Sequence, residues 1–201
     1  MAFPPAPERF FASDNFSGTH PRYLQAIEIA NHGHVRAYGG DDYTKKAVAL
    51  FQHLCDEDVE VLFTFNGTGS NIVALGSLLG PAESVICSEW AHIHVDETGA
   101  PEHALGIKLQ DVPAPDAKVT PEHVHALAGA LGNVHHVQPG VVSITQATEL
   151  GTLYSIEEIK TLCDVAHSYG MRVHLDGARI SNATAALGGD AATFRAQTFG
   201  A

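Results

Sequence analysis

The chain has 201 residues, which at roughly 150 residues per domain argues for one domain with at most a small appendage. Its 45% hydrophobic and 17% charged content is that of an ordinary globular protein and sets disorder aside. Eleven Lys and Arg against 23 Asp and Glu leave a net charge of −12, a field that repels phosphate backbones and anionic lipid, so neither nucleic acid nor membrane is the expected partner.

Cys55, Cys87 and Cys163 are odd in number and include no CxxC pair, which suits a reducing, cytoplasmic setting and indicates no thiolate metal cage. The first dozen residues carry Pro4, Pro5 and Pro7 where a secretory signal would carry an unbroken apolar stretch, and they read as an extended arm. No run approaches the roughly 20 apolar residues of a membrane span.

In chain order, the hydroxyls of 17–19 ahead of Pro21 suit the start of a helix over 21–31. A Gly-rich turn follows, closing in Asp41 and Asp42, two acids that favour the positive end of a helix over 44–55 with an apolar stripe of Ala47, Val48, Leu50, Phe51 and Leu54. Beyond it the rhythm changes. Strands are expected over 59–65, 84–88, 106–112, 140–145 and 171–176, and helices over 71–79, 92–98, 121–131 and 155–170. The last helix is the clearest: Ser155 and Glu158 make a capping box, Ile156, Ile159, Leu162, Cys163 and Ala166 line one face, and Gly170 stops it. Residues 111–122 read as one surface loop. Apolar strands separated by helices imply a mostly parallel sheet covered on both faces, an α/β fold.

Three constellations carry chemistry. Phe65-Asn66-Gly67-Thr68-Gly69-Ser70-Asn71 joins a predicted strand to a predicted helix, where glycines let backbone amides approach an anion and hydroxyls add donors; it reads either as a phosphate cup or as a tight turn that binds nothing. It lacks the Lys of a Walker loop and the third glycine of a dinucleotide fingerprint. The second is His174-Leu175-Asp176-Gly177-Ala178-Arg179, an acid at the carboxyl end of a strand, where open α/β sheets place ligands. Asp176 there either pairs with a protonated ring nitrogen or merely caps the helix beginning near Ala178, and Arg179 either clamps a carboxylate or faces solvent. The third is histidine, 13 in all, paired at 32/34, 92/94, 123/125 and 135/136 with no third ligand at motif spacing, so no metal is expected. His92 reads as a capping or surface residue, or as an aromatic platform for a flat cofactor that also titrates near neutrality.

Together these runs resemble the fold type I pyridoxal phosphate enzymes, and more closely the low-specificity L-threonine aldolases of the β-eliminating lyase family. The resemblance rests on 12–18 (ASDNFSG), 38–42 (YGGDD), 65–71 (FNGTGSN), 91–93 (AHI), 149–154 (ELGTLY) and 174–179 (HLDGAR), which extend over nearly the whole chain. It implies a three-layer α/β fold with a mostly parallel sheet, the large domain of such an enzyme. It also implies pyridoxal 5'-phosphate as cofactor, with Gly67, Thr68 and Gly69 holding its phosphate, His92 stacking on its ring and Asp176 pairing with the ring nitrogen. Arg179, with Ser13 and Tyr38, would bind the substrate. The implied reaction is retro-aldol cleavage of a β-hydroxy amino acid, threonine to glycine and acetaldehyde. His92, His135 and His136 are the candidate bases. A homodimer or homotetramer is implied, with 31–42 reaching a neighbouring subunit's site.

Two departures bear on that expectation. Residues 145–152 (TQATELGT) stand where many members carry an Asn and His version, which touches substrate preference or the group that meets the hydroxyl. The family's Schiff-base lysine lies beyond the Asp and Arg strand, and Lys45, Lys46, Lys108, Lys118 and Lys160 do not follow a strand in that context. The expectation is therefore that residues 1–201 are the arm and most of a large domain incomplete at its C-terminus, lacking the small domain and inactive alone. An aminotransferase or desulfurase of the same fold, and a non-catalytic ligand-binding protein, are the alternatives.

Overall fold

A computed structural model of the chain describes residues 13–56 and 58–198, so the proline arm lies outside the described residues. Contacts divide the chain into a unit ending at Lys46 and a second beginning at Ala47. The first unit holds a single 3-10 turn, Asp14–Phe16, and helix α1, Pro21–Ala30. The α1 cap is not one of the hydroxyls but His20, whose side chain accepts from the Arg22 amide; with Pro21 at the first helical position, one orphan amide is removed and another satisfied. Asp41 accepts from the Thr44 amide at 2.8 Å and the Thr44 hydroxyl at 2.7 Å, and these bonds hold its carboxyl below the ordinary range at the start of α2, Asp42–Cys55.

The second unit contains the sheet. In chain order come α3 (Gly67–Leu78), β1 (Glu83–Ser88), α4 (His92–Val95), α5 (Ala100–Leu105), β2 (Lys108–Val112), α6 (Pro121–Ala128), β3 (Gln138–Thr145), α7 (Ile156–Ser168), β4 (Arg172–Asp176), α8 (Ile180–Leu187) and α9 (Ala191–Thr198). The strands lie in the order β2-β1-β3-β4, every neighbouring pair parallel. Burial on both faces explains their near-continuous apolar sequence. On one face Val85, Cys87, Leu109 and Val141 pack with Leu75 of α3 and Ile93 of α4. On the other, Ile86, Val142 and Ile144 pack with Val124 of α6 and Ile159, Leu162 and Cys163 of α7. Adjacent residues of β1 thus serve opposite cores, as the two-residue period requires, and the result is three layers.

The α7 capping box forms as the sequence indicates: the Glu158 amide donates to the Ser155 hydroxyl oxygen at 3.1 Å and the Ser155 amide to the Glu158 carboxylate at 2.7 Å. Gly170 follows with φ +74°, a conformation open to glycine at little cost. Three expectations are corrected. Residues 59–65 form no strand: Leu62, Phe63 and Phe65 are exposed, and among the described residues no strand pairs with them, without which a ladder cannot form. Helix α3 begins at Gly67 rather than 71, because Asn66 caps it by accepting from the Gly69 amide at 2.8 Å. Strand β2 begins at Lys108, since Gly106 at φ +64° ends a short helix, α5, that the sequence pattern did not show. In α2 the expected stripe is not buried throughout: Leu50 and Phe51 are exposed.

Candidate active site

The strand order makes one place in the sheet special. From β1 the chain goes outward to β2, then returns past β1 to β3 and continues outward to β4, so connections leave the carboxyl ends of β1 and β3 in opposite directions. A crevice opens there in parallel α/β sheets, and ligands bind in it. His92 follows β1 and Glu149 follows β3. The His92 amide donates to Glu149 Oε1 at 2.9 Å, and the Thr145 hydroxyl donates to the same oxygen at 2.9 Å, so one carboxylate ties the two strand ends together.

The sheet face toward α3 becomes polar as it approaches this edge. Along β3 the inward residues run Val141, Ser143, Thr145, and along β4 His174, Asp176; Ser143 stands beside His174 and Thr145 beside Asp176. His174 is buried, with Nδ1 2.9 Å from the Ser143 hydroxyl. Burial keeps its imidazole below the ordinary histidine range, although the nearby carboxylates of Asp176 and Glu97 pull the other way.

Asp176 uses both carboxylate oxygens. Oδ1 accepts from the Ala178 amide at 3.0 Å, so the residue does cap the turn that follows it. Oδ2 accepts from Asn71 Nδ2 at 3.2 Å. Asn71 lies one helical turn after Gly67, so this bond brings the start of α3 and the acid of β4 to the same place. The Ser70 amide makes the first helical bond of α3, to the Asn66 carbonyl, and the Gly69 amide donates to the Asn66 side chain; the amides of Gly67 and Thr68 are the ones an anion would take. The hydroxyls of Thr64 and Ser70 are hydrogen-bonded to each other beside them.

Asn71 Nδ2 also donates to Glu97 Oε1, at 2.7 Å, and the same oxygen lies 2.8 Å from His92 Nδ1. Glu97 is 2% exposed, whereas the His92 side chain keeps 44% of its surface. Glu97 Oε2 and Glu149 Oε2 are buried and bonded to no described group. Sequence reasoning passed over Glu97 as a site residue and took Asn71 only as the end of the glycine run. The available signal was the second acid of Asp96-Glu97, five residues after His92, just past the end of α4. Cys87, on β1, is no rival nucleophile, because burial chiefly, with Asp111, Glu102 and Glu149, pushes its thiol up to about 12.

The other expected site residues are distributed as follows. Arg179 is half-buried at the N-cap of α8, three residues past Asp176. His135 and His136 do not come to this edge: they precede β3, exposed, with the His136 amide donating to the Asn133 carbonyl and its own carbonyl accepting from Gln138 Nε2. At about 3.3 Å per residue, the eight-residue β3 separates them from Thr145 by more than about 20 Å. Ser13 and Tyr38 belong to the N-terminal unit, where the Ser13 hydroxyl accepts from the Asn15 amide and Tyr38, at φ +59°, is fully exposed. His123 and His125 are engaged elsewhere, with Thr120 and Tyr169, and no group of three possible metal ligands exists among the described residues.

A family model described as beta-eliminating lyase matches residues 11–197. The low specificity L-threonine aldolase of a Pseudomonas species is 47% identical over 179 residues, 89% of this chain and 52% of that protein. The enzyme of the same name from Pseudomonas aeruginosa is 45% identical over the same shares. Among solved structures, a threonine aldolase of Leishmania major superposes with a TM-score of 0.81 at 33% identity, over 85% of this chain and 50% of that one. The chain spans about half the length of these relatives.

Proposed function

Because this chain belongs to the beta-eliminating lyase family, we propose that it carries the pyridoxal phosphate-binding part of an L-threonine aldolase, which cleaves threonine to glycine and acetaldehyde. The observation that carries the reading is the Asn71 to Asp176 hydrogen bond of 3.2 Å, which sets an anion-binding helix start and a carboxylate at one strand edge. Residues 1–201 then form the arm and most of the large domain. The protein works in the cytoplasm as a homodimer or homotetramer; its three free cysteines and the exposed Leu24 and Ile27 of α1 support this.

The residues fit the cofactor. An anion, a flat face and a basic ring nitrogen call for amide donors, a platform and an acid, and the start of α3, His92 and Asp176 supply them. When bound, pyridoxal phosphate supplies an electron sink for the pair released as the substrate's Cα–Cβ bond breaks. The amides of Gly67 and Thr68, with the hydroxyl of Thr68 and the close backbone approach at Gly69, hold the phosphate. Asp176 keeps a proton on the ring nitrogen. Arg179 binds the substrate carboxylate through its planar fork. His92 stacks on the ring. With Nδ1 turned to Glu97, its Nε2 is the atom that takes the proton from the substrate's β-hydroxyl, directly or through water.

Product analysis tests the reading. The full-length protein that contains this chain, supplied with pyridoxal phosphate and L-threonine, is expected to release glycine and acetaldehyde in equal amounts. A keto acid in place of the aldehyde would identify a transaminase and overturn it.

A further inference from the structure

The least explained group at this edge is Glu97. A carboxylate that is 2% exposed has lost its hydration, and one of its oxygens has no partner among the described residues, so its burial is not accounted for by stability. Its other oxygen does two things at once. Oε1 meets His92 Nδ1 at 2.8 Å and accepts from Asn71 Nδ2 at 2.7 Å. Asn71 Nδ2 has two hydrogens, and its second bond goes to Asp176. The amide therefore bridges two carboxylates and leaves neither oxygen free to turn away.

We propose that Glu97 and Asn71 are positioning residues for the site: Glu97 holds the His92 ring with its proton on Nδ1 and its Nε2 lone pair outward, and Asn71 ties that carboxylate to Asp176. The chemistry follows from the partners. An ionised carboxylate only accepts, so the imidazole nitrogen facing it must carry a hydrogen, and in a neutral ring the other nitrogen is then the acceptor. A ring nearly half exposed, on a helix of only four residues, has no packing of its own to fix its orientation, so a buried acid does so. Asn71 lies one turn after the start of α3, so the same relay sets the distance between the anion-binding amides and Asp176. Neither residue touches substrate; both act through His92 and Asp176. The proposal deepens the aldolase reading and rests on it for its catalytic meaning, but its central geometric statement concerns the protein without any ligand.

The test is therefore made first without cofactor. Ring-nitrogen NMR of the protein labelled at histidine, with the His92 signal assigned by its loss in His92→Asn, is expected to show a protonated Nδ1 and a bare Nε2 at a pH where the ring is neutral. Glu97→Gln, nearly isosteric, is expected to leave the fold unchanged by circular dichroism and to shift His92 toward the opposite tautomer or a mixture. Asn71→Ala is the second variant, expected to keep the His92 tautomer while loosening Asp176. In the full-length protein that contains this chain, with pyridoxal phosphate added, both variants are expected to alter the induced circular dichroism of the bound chromophore and to lower kcat by about 10- to 100-fold, with KM changed much less. Wild-type protein with the proton on Nε2, or a Glu97→Gln His92 signal identical to wild type, would overturn the proposal whatever the cofactor does. Failure of wild type to bind pyridoxal phosphate while the tautomer behaves as stated would instead sink the aldolase reading alone.

Discussion

Asp176 is asked to do more than its neighbours show at first sight. One oxygen caps the Ala178 amide and the other accepts from Asn71, which together fix the carboxylate plane at the strand end. In the aldolase reading that plane meets the protonated ring nitrogen, a charge-assisted contact worth about 1.5–3 kcal/mol. Asp176→Ala is accordingly expected to weaken pyridoxal phosphate binding by about 10- to 100-fold in a fluorescence titration; an unchanged dissociation constant would remove Asp176 from the site. At this scale the sequence located Asp176 at the carboxyl end of a strand, where the structure has it, but began the helix after Gly67 and Gly69, both of which lie in its first turn. It was silent on Glu97, because an acid next to Asp96 in the short connection between α4 and α5 has no periodicity to mark it as buried. His135 and His136 precede β3 and so lie at its amino end, whereas the polar cluster gathers at the carboxyl ends of the strands; chain order alone carried that difference.

Elements differ in how far their local signals decide them. The α7 capping box and its four buried apolar residues, Ile159, Leu162, Cys163 and Ala166, agree with one another, so the helix was legible almost to its ends. Ser155→Ala is expected to cost about 1 kcal/mol and Leu162→Ala about 2–5 kcal/mol in urea unfolding, both without effect on cofactor affinity, since neither faces the polar edge. Residues 59–65 are the opposite case. Their alternation is that of a strand, but pairing needs a neighbour, and sequence periodicity cannot supply one. Strand β4 carries a pH signature. His174 is kept neutral by burial, whereas in the unfolded chain it takes up a proton as pH falls below about 6.5. From there down to its folded value the unfolded state binds more protons, so stability falls as pH falls. Urea unfolding at about pH 7.5 and about pH 5.5 is expected to show a smaller loss for His174→Asn than for wild type; equal losses would mean that His174 does not titrate as stated.

For the whole molecule, the parallel α/β class followed from the alternation of apolar strands and helices, but the order β2-β1-β3-β4 did not. Strand order depends on which long-range pairings win, and those pairings are invisible to local patterning. That order turns scattered residues into a site, since it opens the crevice between β1 and β3 and lets Glu149 join their ends. The net charge of −12 is compatible with the aldolase reading, in which an anionic cofactor would be held by amides and a helix end acting over a few ångströms, not by the field of the whole chain.

The most direct measurement is a crystal structure of the protein with pyridoxal phosphate. The account expects the phosphate oxygens on the amides of Gly67 and Thr68, the ring nitrogen about 2.7–3.2 Å from the Asp176 carboxylate, and the His92 imidazole over the ring face. A phosphate bound away from the start of α3, or a ring nitrogen turned away from Asp176, would contradict it.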